Sequence, residues 1–144
     1  MKKALIINGP NLNLLGKRET DIYGSLSLSE IQKYTQQKLS TEEVELEWFQ
    51  SNMEGEIIGK IHEFQSEDFD FLIINPAGYS HTSVAIYDAL LACHKTIIEV
   101  HLSNVYSRED FRQTMLTARA ASKIMSGLGK DAYYLAILSE IKKG

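Results

Sequence analysis

Five short apolar runs, at residues 4–8, 44–50, 71–75, 96–101 and 122–125, limit what this chain can fold into. Most of them are continuous rather than alternating. That is the mark of strands covered on both faces, as in a parallel sheet. Between the runs lie patterns of helical period. One opens at Ser27, where Ser27 and Glu30 stand at the spacing of a capping box and Leu28, Ile31, Tyr34 and Leu39 fall broadly on one face. A second carries Ile57, Ile58, Ile61 and Phe64 at i, i+1, i+4 and i+7. A third is expected from about Ser80 to Cys93, a fourth from near Ser107 with Glu109 and Asp110 in its first turn, and a last from Asp131 to about Lys142. Strand and helix in repeated alternation give a parallel sheet with helices on both faces. The expected fold is therefore α/β, a flavodoxin-like doubly wound sheet of five parallel strands. The 144 residues suit one such domain, spanning 1–144, and fall well short of the roughly 250 of an eight-stranded barrel.

Composition narrows the function classes. Hydrophobic residues make up 44% and charged residues 24% of the chain, the proportions of an ordinary globular domain. A net charge of −4 argues against a nucleic-acid footprint. The single cysteine, Cys93, excludes an intrachain disulfide and reads as a small buried hydrophobe in a reducing compartment. The apolar run after Met1 is too short for a signal peptide, and no stretch approaches a membrane span. A cytoplasmic domain is expected.

Ligands of open parallel sheets bind beyond the carboxyl ends of the strands. Here those ends carry Asn8-Gly9-Pro10-Asn11, Gln50-Ser51-Asn52, Asn75-Pro76-Ala77-Gly78-Tyr79-Ser80-His81 and His101-Leu102-Ser103-Asn104. Such amide, hydroxyl and imidazole groups suit a small, oxygen-rich molecule, although Asn, Ser and Gly also simply make turns. The usual tenants of the fold do not fit. The first turn, NGPNLN, offers neither a GxGxxG dinucleotide loop nor a P-loop. The third strand ends in Asn75 rather than the acidic residue of a phosphorylation site, and there is no GxSxG elbow. The histidines His62, His81, His94 and His101 lack metal-ligand spacing. Glu99 and His101 stand at i and i+2 on a strand and so face one side, where the carboxylate can orient the imidazole for acid–base work; a half-buried structural pair fits the same spacing. Arg18 and Tyr23 lie between Gly16 and Gly24 in a segment that reads as a lid or as a solvated loop. A guanidinium there would stabilise a phenolate and let tyrosine act as a base.

Four blocks, INGPNLNLLGKRETDIYG, FQSNMEGEII, INPAGYSHTSVAIYDAL and IEVHLSNVYSREDFR, make the chain resemble the type II 3-dehydroquinate dehydratases over nearly its whole length. The resemblance implies a flavodoxin-like fold and a trans-dehydration of 3-dehydroquinate to 3-dehydroshikimate through an enolate, without cofactor or metal, in aromatic biosynthesis or quinate catabolism. It implies Tyr23 as the base, Arg18 as its activator, Asn11 as a holder of the enolate oxygen through water, and His101, oriented by Glu99, as the acid on the leaving hydroxyl. It further implies substrate contacts from Asn75, His81, Arg112 and the backbone of Leu102 and Ser103. It also implies a dodecamer built from trimers in which Asp88 reaches a neighbouring site. The chain departs from the family's common pattern at Thr20 (proline), Met53 (histidine) and Tyr106-Ser107 (His-Ala), none of them a catalytic position.

Overall fold

Alternate residues of each apolar run point to opposite faces of one sheet, and both faces are covered. A computed structural model describes residues 1–17 and 19–143. Strands β1 (Lys2–Asn8), β2 (Val44–Gln50), β3 (Phe71–Asn75), β4 (Thr96–His101) and β5 (Lys123–Ser126) form a five-stranded sheet in the order β2-β1-β3-β4-β5, all pairs parallel. This is the doubly wound, flavodoxin-like arrangement expected from the alternation of elements. The helices are the single turn α1 (Thr20–Tyr23), then α2 (Leu28–Lys38), α3 (Glu54–Ser66), α4 (Val84–Leu91) and α5 (Ala132–Ile141). Ala4, Ile6, Phe71, Ile73, Ile98 and Val100 pack with α2 and α5 on one face. Leu5, Ile7, Leu72, Ile74 and Ile97 pack with α3 and α4 on the other. With no polar face to spare, the central runs of β1 and β3 do not alternate in hydropathy, whereas the edge strand β2 does at Val44-Glu45-Leu46-Glu47 and leaves Glu45 exposed. No helix of the described residues is long and apolar enough to cross a membrane.

The capping box at Ser27 forms as its spacing requires. Ser27 Oγ accepts from the Glu30 amide at 3.2 Å, and Glu30 accepts from the Ser27 amide at 3.0 Å. Two helix expectations need correction. The third helix does not begin at Ser80. Residues Ala77–His81 form a 3-10 turn, and α4 starts only at Val84, where Ser83 Oγ caps the Ile86 amide at 2.9 Å. The fourth helix, expected from Ser107, is absent. Three 3-10 turns, Val105–Ser107, Asp110–Gln113 and Thr117–Ala120, take its place. The hydroxyl and acidic groups that read as a helix start are used elsewhere: Ser107 Oγ donates to the Asn104 carbonyl at 2.9 Å, and Glu109 binds Arg108 and Arg112. No apolar face runs along this stretch, and Phe111 is exposed. The fifth strand sits one residue later than expected, Cys93 is only half-buried, and the segment read as a lid contains the helical turn α1.

The polar strand ends are drawn together by backbone contacts one step past the sheet. The Gly9 amide donates to the Asn75 carbonyl at 2.8 Å and the Ser51 amide to the Asn8 carbonyl at 3.0 Å. Gly9 lies so close to the next loop that a Cβ there would come within 2.4 Å of the Pro76 carbonyl oxygen. Only glycine permits that approach.

Candidate active site

Beyond the carboxyl ends of β1, β3 and β4 lies a cavity of about 100 Å³, walled by Asn11, Tyr23, Asn75, His81, His101, Leu102, Ser103, Arg108 and Arg112 among others. Its position follows from topology, at the point where connections leave the sheet in opposite directions. Most of the residues predicted for the site meet here. Two do not line it: Glu99 stands behind His101, and Asp88 is exposed on α4. Arg18 lies outside the described residues.

The His101 wall is built on β4. Glu99 is fully buried, and its Oε2 lies 2.7 Å from His101 Nε2. A carboxylate oxygen accepts, so Nε2 carries the proton, and Nδ1 is the ring nitrogen left for the cavity. Two hydroxyls that the sequence did not connect with Glu99 complete its environment. Ser80 Oγ donates to Oε2 at 2.7 Å and Thr117 Oγ1 to Oε1 at 2.6 Å. A buried carboxylate is tolerated only with such donors.

His81 presents the opposite polarity. Its Nδ1 lies 2.8 Å from the Thr114 carbonyl, which can only accept, so Nδ1 bears the hydrogen and Nε2 is the free lone pair. Burial lowers its proton affinity. The Thr114 carbonyl works against that shift, while His101 and Arg112 reinforce it. The ring is therefore kept neutral, and it stacks on His101 at 6.2 Å between centroids.

The opposite wall belongs to Tyr23. Arg108 donates to its phenolic oxygen at 3.0 Å and also packs over its ring at 5.3 Å from the centroid. The same guanidinium donates to Ser103 Oγ at 3.1 Å and, through Nε, to Glu109 at 3.2 Å. Burial disfavours the Arg108 cation, but the Tyr23 oxygen and Glu109 more than offset it, so the charge is held firmly. Glu109 also receives Arg112 Nε at 3.1 Å, and its carboxyl is held below the usual range. Sequence spacing gave no sign of Glu109 as a bracket for two arginines.

The remaining groups suit a hydroxylated acid. Leu102, Ser103 and Arg112 line the cavity together. Asn75 is almost fully buried; its Oδ1 accepts from the Ala77 amide at 3.1 Å and its Nδ2 donates to the Tyr133 hydroxyl at 3.2 Å. Asn11 adopts a left-handed backbone, φ 69°, and its amide donates to Asn52 Oδ1 at 3.0 Å. Among the described residues no three His, Cys, Asp or Glu side chains converge as a metal site.

Known proteins share this sequence and fold. The family model for class II dehydroquinases matches residues 2–141. A 3-dehydroquinate dehydratase of Actinobacillus pleuropneumoniae serotype 5b (strain L20) is 50% identical over 147 aligned positions, which cover 99% of this chain and 94% of that one. One of Aliarcobacter butzleri (strain RM4018) is 47% identical, covering 95% of this chain and 83% of its own. The crystal structure of the type II dehydroquinase from Butyrivibrio crossotus DSM 2876 superposes with a TM-score of 0.92 at 42% identity, covering 94% of each chain. A full-length family match, relatives at this identity and a superposing backbone lead to one conclusion: the chain belongs to the class II dehydroquinase family.

Proposed function

We propose that the cavity performs the reaction of a 3-dehydroquinate dehydratase, a hydro-lyase converting 3-dehydroquinate to 3-dehydroshikimate by trans elimination. One observation carries the assignment of roles. A tyrosine oxygen held at 3.0 Å by a guanidinium and an imidazole backed by a buried carboxylate line the same cavity. Tyr23, as phenolate, takes the proton from the carbon next to the ketone. The electron pair moves into the carbonyl, and the resulting enolate oxygen is held by Asn11 through water. The enolate then expels the hydroxyl from the next carbon. His101, protonated at Nδ1 and supported by Glu99, gives its proton so that water leaves. A further proton transfer from Tyr23 to His101 resets the pair.

Arg108 supplies the cation that stabilises the phenolate, beside the role proposed for Arg18. Arg112 and the backbone amides of Leu102 and Ser103 receive the substrate carboxylate. Neutral His81 accepts a hydrogen bond from a substrate hydroxyl, and Asn75 receives another. A homo-oligomer, a dodecamer of trimers, is proposed as the working form, with Asp88 entering a neighbour's cavity. In support, Asp88 shares an outward face of α4 with Val84 and Leu91, which are 58% and 52% exposed. A cytoplasmic location is proposed with it.

The test follows absorbance of the conjugated product when purified protein meets 3-dehydroquinate. Parent protein turns over. Tyr23→Phe loses about 10²–10⁴-fold in kcat, the usual contribution of a positioned base. Turnover that survives Tyr23→Phe refutes the base assignment while leaving the reaction intact.

A further inference from the structure

We infer that Ser80 and Thr117 are positioning residues for His101, acting through Glu99: together they fix the carboxylate in the plane from which it accepts Nε2–H, and so keep Nδ1 aimed at the substrate. This rests on the reading of His101 as the acid.

A carboxylate's last torsion is soft, with a broad two-fold well, so a single contact does not set its plane. Glu99 is gripped at both oxygens. Thr117 holds Oε1 at 2.6 Å, while Ser80 and His101 share Oε2, each at 2.7 Å. Each hydroxyl has one proton to give. With Thr117 committed to Oε1 and Ser80 to Oε2, their own 3.2 Å approach, and that of Ser80 to His101 Nε2 at 3.5 Å, carry neither proton. All three side chains are buried, so water cannot replace a lost donor cheaply.

Neither hydroxyl comes from β4. Ser80 closes the turn after β3, and Thr117 opens the turn before β5. The Leu116 amide, beside Thr117, donates to the Ser80 carbonyl at 2.8 Å and locks the two together. The same stretch supplies the Thr114 carbonyl that sets His81. Residues 114–117 therefore fix the polarity of both imidazoles, one presenting Nε2 and the other Nδ1.

The test compares Thr117→Val, Thr117→Ser, Ser80→Ala and His101→Gln for kcat and KM, with thermal unfolding alongside. Thr117→Val is expected to lose about tenfold in kcat, the effect of one hydrogen bond to a charged group, with KM within twofold. Thr117→Ser, which keeps the hydroxyl, recovers kcat to within about twofold. Added to His101→Gln, Thr117→Val has no further effect, because the group it positions is gone. Should Thr117→Val fail to fold, Ser80→Ala reads the same loss at Oε2. Parental kcat in the valine and alanine variants overturns the inference. So does a loss that Thr117→Ser cannot recover, or one carried equally by KM, since either marks packing alone. Parental kcat in His101→Gln removes the acid assignment and this inference with it. Loss in His101→Gln with none at Thr117 or Ser80 removes the inference alone.

Discussion

Replacing Tyr133 by Phe removes one oxygen atom from the core, and the structure sets what that costs. Tyr133 is fully buried at the start of α5, and its hydroxyl sits between two amides. It donates to Asn8 Oδ1 and accepts from Asn75 Nδ2. Burial pushes its phenol well above the ordinary range, so it stays neutral and plays both parts. Asn8 Nδ2 is already a buried donor without an acceptor among the described residues. Deleting the hydroxyl strands Asn8 Oδ1 and Asn75 Nδ2 as well. Leaving a buried polar group unpaired costs about 1–3 kcal/mol. Allowing for the gain from a more apolar ring, we expect a loss of about 2–4 kcal/mol, a drop of roughly 10 °C in Tm for a domain of this size. Trp48, the chain's one tryptophan, packs against the Tyr133 ring at 5.4 Å, so its fluorescence reports this corner during urea unfolding. Asn75 also lines the cavity, so KM for 3-dehydroquinate should rise in the same variant. Asn8→Leu together with Tyr133→Phe should recover part of the stability, because replacing both partners relieves the unpaired pole. A Tyr133→Phe protein within about 0.5 kcal/mol of parent, or a double variant whose losses simply add, refutes the claim that this hydroxyl bridges the two amides.

Two further expectations follow. Arg108→Met should lower kcat by about 10–100-fold through loss of the cation beside Tyr23, and Arg108→Lys should restore only part of it. A single ammonium cannot contact Tyr23, Ser103 and Glu109 as the guanidinium does; full recovery in the lysine variant, measured as kcat, contradicts this. Glu140 sets a pH dependence of stability. Burial alone would raise its carboxyl, but Lys143 at 2.5 Å and Lys123 at 3.4 Å hold it below the ordinary 4.5. A carboxyl lowered on folding stabilises fully above the unfolded value and loses that contribution as pH falls through the folded one. Urea midpoints taken in steps below pH 4.5 should therefore fall less steeply for Glu140→Gln than for the parent; parallel slopes would refute the assignment.

The sheet and four of its flanking helices were legible in the sequence because hydropathy alone places them. Continuous runs demand two covered faces, and the Ser27–Glu30 spacing can cap only at Leu28. The Glu99–His101 contact was legible too, since i and i+2 on a strand leave little freedom. Residues 105–120 were not. Ser107, Glu109 and Asp110 look like the start of a helix, but Ser107 Oγ turns back to the Asn104 carbonyl, Glu109 pairs with Arg108 and Arg112, and the segment folds as separate turns. Ser80 and Thr117 stand 19 and 18 residues from Glu99, and Arg108 stands 85 from Tyr23. Such contacts have no period. They exist only after the sheet has been assembled.

The contact between Gly9 and Pro76 has a consequence for engineering. The loop that carries Asn11 and the loop that carries Asn75 and His81 share a common wall with no slack in it. Neither can be lengthened, or given a bulkier residue at that point, without displacing the other. A chimera that takes one of these loops from a relative inherits a mismatch unless it takes both. Reshaping the cavity for a larger acid is therefore best begun at the opposite wall, where Tyr23 and Arg108 also border an open groove of about 800 Å³.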